Sequence, residues 1–201
     1  MRGSVGAAGG GLEERLVLGV DPGLAETGYA CVRQREGRIE VVETGVIRTD
    51  SGLALERRLD LLFQGIEGVF SRVKPEVMAM EEYYSVPRHP GTAILMAHAR
   101  GVICLCAARN GVEVVSYAVR EAKQAVTGSG KASKEQVQRM VAVLAHLKQP
   151  VKSEHVGDAL ALALCHCLVR RGLSLGKRGA GGREGRPEPG LVGQQGVRRD
   201  D

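Results

Sequence analysis

Aromatic residues make up only 3% of this 201-residue chain and tryptophan is absent. A core of stacked rings is therefore excluded, and the interior must be built from Val, Leu, Ile, Ala and Met. Such a composition suits buried strands flanked by helices. Cysteine is sparse and odd in number, with five residues at 31, 104, 106, 165 and 167, each in or beside an apolar run. That pattern argues against a secreted disulfide framework. Cys165-His166-Cys167 has no second ligand pair at zinc-finger spacing, so buried free thiols are expected. No apolar run approaches the ~18 residues of a membrane span, and the Gly-rich start MRGSVGAAGGGLEE lacks the apolar segment of a signal peptide. These absences point to a soluble cytoplasmic protein. No long-period repeat is present, which excludes a solenoid or propeller.

What is present suffices for one core, since 43% of the residues are apolar. Residues 1–14 read as a flexible leader, 15–171 as one compact domain, and 172–201, rich in Gly and Arg, as a disordered tail. The net charge of +5 is unevenly spread. Residues 1–87 hold 10 Lys/Arg against 14 Asp/Glu, and residues 88–171 hold 12 against 5. A basic surface beside an acidic cluster suits metal-dependent work on a polyanion, although a solvated charged surface produces the same composition.

Periodicity lays out the elements. Leu16 to Val20 reads as a strand stopped by Asp21-Pro22-Gly23, and Thr27 to Gln34 and Arg38 to Arg48 read as two more, joined near Glu36-Gly37. Leu55, Leu59, Leu62, Ile66 and Val69 mark an amphipathic helix within Leu53 to Val73. Val77 to Met80 is a buried strand, Glu82 to Gly91 a loop, Thr92 to Arg109 a helix and Glu113 to Tyr117 a strand. A short helix over Ala118 to Val126 follows. Ser133 with Gln136 forms a capping-box pattern opening another helix, and a last helix runs from about Glu154 to Arg170.

In this order Asp21 ends the first strand and Glu81 follows the fourth, and open sheets tend to place sites at strand ends. His155 and Asp158 are three apart near the start of the last helix, hence on one face and roughly 4.5 Å apart along its axis. Clustered carboxylates can hold divalent cations against a phosphate. Each residue also has an ordinary explanation: a turn aspartate, a solvated strand end, a surface histidine, and an acid favoured by the helix dipole. Spacing alone leaves both readings open.

Four collinear segments narrow them. LVLGVDPGLAETGYACV, VMAMEEYY, ARGVICLCAARNGVEVVSYAVREAKQAVTGSGKASKEQVQRMV and HVGDALALALCH resemble, in order and spacing, the RuvC family of Holliday junction resolvases, over about residues 16–170. The resemblance implies an α/β ribonuclease H-like fold, with a mixed five-stranded sheet flanked by helices. It also implies a homodimer that resolves four-way junction DNA by paired, metal-assisted nicks leaving 5′-phosphate and 3′-hydroxyl ends, together with a RuvA and RuvB branch-migration complex as partner. By the same resemblance Asp21, Glu81 and Asp158 are catalytic carboxylates and metal ligands. His155 falls where relatives carry Asp or His, with a role as ligand or proton carrier left open. Two Mg²⁺ per site are implied, and an imidazole among the carboxylates suggests that Mn²⁺ is also accepted. Glu82 is expected to point away from the metals.

For DNA contacts, Lys123 and Lys134 match basic positions of the family, and Arg120, Lys131 and Arg139 lie near them. Such side chains bind phosphates without reading sequence. Tyr84 stands where many relatives have a stacking Phe. In the Thr92 to Arg109 helix, Ile94, Ala97, Gly101, Val102 and Leu105 suggest either core packing, which the sequence slightly favours, or the family's dimer contact. The alternative functions are a related ribonuclease H-like nuclease of the YqgF type and a junction-binding protein without cleavage. Three mutually repelling carboxylates argue against the last.

Overall fold

The computed structural model describes residues 14–82, 90–149 and 151–170. The tail, all of the leader except Glu14, and Tyr84 lie outside the described residues. Glu14 pairs with Arg33 at 2.8 Å.

Five strands and five helices follow the order β1 (Arg15–Asp21), β2 (Glu26–Arg35), β3 (Arg38–Arg48), α1 (Leu55–Val73), β4 (Val77–Glu81), α2 (Pro90–Arg109), β5 (Glu113–Tyr117), α3 (Val119–Thr127), α4 (Lys134–Leu144) and α5 (Glu154–Arg170). The sheet order is β3-β2-β1-β4-β5. The first three strands form an antiparallel meander, while β4 pairs parallel with both β1 and β5. The expected mixed five-stranded sheet is thus observed.

The β2-β3 turn needs two left-handed residues, and Glu36 (φ 48°) and Gly37 (φ 84°) supply them. Helix α1 stops at Lys74, itself left-handed, whose N–H donates to the Phe70 carbonyl at 2.8 Å, just before Pro75. Helix α4 opens with the reciprocal pair expected: Gln136 N–H donates to Ser133 Oγ at 3.3 Å, and Ser133 N–H to Gln136 Oε1 at 2.8 Å.

Strand alternation divides the interior. Leu18, Val20, Met78 and Met80 face α1 and α2, whereas Val17 and Val77 face α4 and α5 and Ala79 meets α3 and α5. Odd-numbered positions of β1 and β4 therefore look toward α5, and Asp21 and Glu81 continue that series.

Three expectations need correction. The loop expected to run to Gly91 ends earlier, because Pro90 already begins α2, where a missing N–H costs nothing. Residues Gly91–Arg109 do form a helix long and apolar enough to cross a membrane by length and composition. Its Ala99, Ile103, Cys106 and Ala107 are nevertheless buried against the protein's own core. Finally, ordinary core packing does not account for the rest of α2: Ile94, Leu95 and Leu105 are exposed, as are Ala97 and Gly101.

Candidate active site

The register sets the first two acids side by side. Val20 of β1 pairs with Met80 of β4 in parallel, so Asp21 and Glu81 each stand one residue further on neighbouring strands, facing α5. Helix α5 then lies unusually close to the sheet. A Cβ on Gly19 would fall 1.9 Å from the Ala159 carbonyl oxygen, and one on Gly28 would fall 2.2 Å from the His155 carbonyl oxygen. Gly28 is the register partner of Asp21. The absence of a side chain there lets the first turn of α5 settle beside Asp21.

His155 consequently touches Asp21, with Nδ1 donating to Asp21 Oδ2 at 2.7 Å, while Nε2 faces Glu26 Oε2 at 3.7 Å. Asp158, one helical turn along, accepts from Gln138 Nε2 at 3.5 Å and lies 3.2 Å from Lys134 Nζ. Lys134 also pairs with Glu154. All four predicted residues are thus brought to one end of the sheet.

Electrostatics reflect the crowding. Burial pushes the Asp21 carboxyl above the ordinary carboxylate range; Asp158 adds to the rise, and the His155 hydrogen bond opposes it. Burial likewise raises Glu81, with the charges of Asp21 and Asp158 contributing and those of Arg100 and Lys134 opposing. Among the described residues, no three Asp, Glu, His or Cys side chains already close into a ligating cage. The donor set nevertheless fits a hard divalent cation. Its carboxylates repel one another in a partly desolvated place, and a lysine ammonium already lies against one of them.

The basic residues divide. Lys123 donates to the Ala132 carbonyl at 2.8 Å, and together with Lys134 it borders a cavity of about 250 Å³ that opens beside Glu81 and Asp158. Arg120, Lys131 and Arg139 are exposed near the α3-α4 turn. Lys134, exposed at this rim, lies against Glu154 and Asp158 in the DNA-free chain. Several site neighbours escaped the sequence reading, namely Glu26, Gln138, Glu154 and Arg100. Gly19 and Gly28 escaped it as well, although a glycine inside a strand is itself a signal of close approach.

At the far end of α5, His166 is buried and its Nδ1 lies 2.9 Å from Tyr117 Oη. Of the five cysteines, all free, Cys31, Cys106, Cys165 and Cys167 are buried as expected and Cys104 is half-buried.

Comparison with known proteins follows the same lines. The family model described as crossover junction endodeoxyribonuclease RuvC matches residues 17–166. The crossover junction endodeoxyribonuclease RuvC of Moorella thermoacetica is 44% identical over 151 residues, covering 75% of this chain and 90% of that protein. That of Rubrobacter xylanophilus is 40% identical over 162 residues, covering 81% and 90%. The structure of T. thermophilus RuvC in complex with a Holliday junction substrate superposes with a TM-score of 0.74 at 30% identity, covering 80% of this chain and 98% of that one.

Proposed function

Since the chain belongs to the RuvC family of crossover junction endodeoxyribonucleases, we propose that it resolves Holliday junctions in DNA recombination and repair by paired nicks at the site around Asp21. The observation that carries this reading is the parallel register setting Asp21 beside Glu81, under a helix that adds His155 and Asp158. The alternatives, a nuclease of the YqgF type and a non-cleaving binder, fit less well. The family model matches residues 17–166, a span that includes Asp21, Glu81, His155 and Asp158, and mutually repelling acids have no use in a binder.

The family is one of metal-dependent nucleases, and we assign Asp21, Glu81, Asp158 and His155 as the residues that hold Mg²⁺, two per site, with Mn²⁺ accepted. When bound, the cations supply Lewis acidity to the scissile phosphate and charge for the leaving oxygen. The protein's own groups do the rest. Asp21 and Glu81 converge from the sheet, and Asp158 closes the set from α5. His155, by donating from Nδ1, orients the Asp21 carboxylate. Lys123 and Lys134 draw the DNA backbone toward the acids, with Arg120 and Lys131 extending the basic track and Tyr84 stacking on an opened base. Products carry 5′-phosphate and 3′-hydroxyl ends.

A two-fold substrate calls for two sites, and we place the homodimer contact on α2, whose exposed Ile94, Leu95 and Leu105 form an apolar face without a partner in the described chain. The RuvA and RuvB complex is the proposed partner in a cytoplasmic setting.

The test compares a mobile four-way junction, linear duplex and RNA:DNA hybrid, with and without Mg²⁺, for the native chain and Asp158→Asn. Symmetric nicks confined to the junction are expected, with the variant binding but not cutting. Equal cutting of the hybrid, or cutting by the variant, would overturn the reading.

A further inference from the structure

Arg100 is the one arginine or lysine in the interior of α2, and its half-buried side chain reaches the sheet. Nη1 donates to the main-chain carbonyl of Glu81 at 2.6 Å, and Nη2 donates to Ser116 Oγ on β5 at 2.8 Å. The N–H of the same peptide unit, that of Glu82, donates to the Tyr117 carbonyl at 2.8 Å. The peptide plane that follows Glu81 is therefore pinned at both ends, its oxygen by α2 and its nitrogen by β5. The nitrogen is held by the last pairing of the β4-β5 ladder, Glu81 with Tyr117, whereas the β1-β4 register ends one residue earlier at Met80 and leaves the Glu81 oxygen to Arg100. A pinned plane fixes ψ of Glu81, and with it the direction in which the side chain leaves the backbone toward Asp21.

We propose that Arg100 is a positioning residue for Glu81, fixing the peptide plane that aims this carboxylate into the metal-holding set. The inference rests on the assignment of Glu81 to that set. Asp21 and His155 orient each other by direct contact, and Asp158 is held by Gln138 and Lys134. Glu81 has no side-chain hydrogen bond among the described residues, so its backbone must do the aiming. The bond from Nη1 to the Glu81 carbonyl carries the role, and the second arm of the planar fork, on Ser116, only steadies the guanidinium.

The experiment measures Mn²⁺ binding to the DNA-free protein by titration calorimetry, with Mg²⁺ dependence of junction cutting, junction binding in EDTA and melting temperature alongside. Arg100→Met is expected to weaken Mn²⁺ binding by about 10- to 100-fold, the usual range for losing a group that orients a ligand. The Mg²⁺ needed for half-maximal cutting should rise in parallel, with junction binding unchanged. Arg100→Lys should recover part of the loss. Ser116→Ala, which leaves the Glu81 carbonyl bonded, should stay within about threefold of the native affinity. Native Mn²⁺ affinity in Arg100→Met overturns the proposal, as does an equal loss in Ser116→Ala. Should Arg100→Met not fold, Arg100→Lys decides, and native affinity there overturns it. Glu81→Gln separates the two levels. If that variant still binds metal and cuts, the site assignment itself fails; if it is inert while Arg100→Met behaves as native, only the positioning role fails.

Discussion

Helices α2 and α5 are both long and mostly apolar, yet they end in opposite situations. From Val156 to Leu168 nearly every residue of α5 is buried, against β1, β2, α3 and α4. In α2 one side is equally buried, through Ala99 and Ile103, while Ile94 and Leu105 on the other keep 59% and 54% of their surface exposed. Apolar composition says that a face must be covered and leaves open by what. For α5 the cover is the sheet, approached closely through Gly19 and Gly28; for α2 we assign a second copy of the chain.

The sharpest probe of this contrast lies in the first turn of α5, where burial gives way to chemistry. Asp158→Asn should reduce junction cutting by at least about 10³-fold, as loss of a residue acting within a unit does. It should leave junction binding intact in a mobility-shift assay. Residual cutting within tenfold of native would detach α5 from the site.

Next in size are truncations within the core. Leu164→Ala, at a fully buried position, should cost about 2–5 kcal/mol in urea unfolding. Leu105→Ala on α2 should change protomer stability by less than about 0.5 kcal/mol. Equal costs at the two positions would erase the distinction between the helices. Leu105→Glu should convert a sedimenting dimer into a folded monomer. A dimer that survives this change places the contact elsewhere.

Titration distinguishes the two ends of α5. Burial lowers His166 to about 4, so it stays neutral in the folded chain while the unfolded chain protonates near 6.5. Stability from this group is complete above pH 6.5, falls as pH drops, and levels below about 4, a loss on the order of 3 kcal/mol. His166→Gln should flatten that slope in melting experiments; an unchanged slope would assign it to other groups. Asp21 and Glu81 act in the opposite sense. Their carboxyls are raised, so the folded chain takes up protons at a pH where the unfolded chain does not, and their ionisation costs stability at neutral pH. Asp21→Asn should therefore raise the melting temperature at pH 8 in EDTA. A lower melting temperature would show that the His155 contact outweighs the repulsion.

Much of this is legible in the sequence. The three-strand meander, the Glu36-Gly37 turn, the Ser133-Gln136 cap and the strand-end placement of Asp21 and Glu81 follow from local periodicity and turn chemistry. Lys134 illustrates what is not. The resemblance makes it a phosphate contact, and only the fold adds that it lies between Glu154 and Asp158, acids 20 and 24 residues away. Nothing local marks Arg100, because its bond to the Glu81 carbonyl depends on how α2 crosses the sheet. The exposure of Leu105 was equally hidden, since periodicity marks a face as apolar without naming its cover.

The sequence by itself determined the elements, the composition of the core and, through four collinear segments, the family. Backbone preference and side-chain period are properties of neighbouring residues, so they can be read locally. Tertiary structure alone decided that Asp21 meets His155, that Gly19 and Gly28 admit α5, and that Arg100 pins Glu81. Each of these depends on strand register and on the separation between layers, which arise only when distant segments pack.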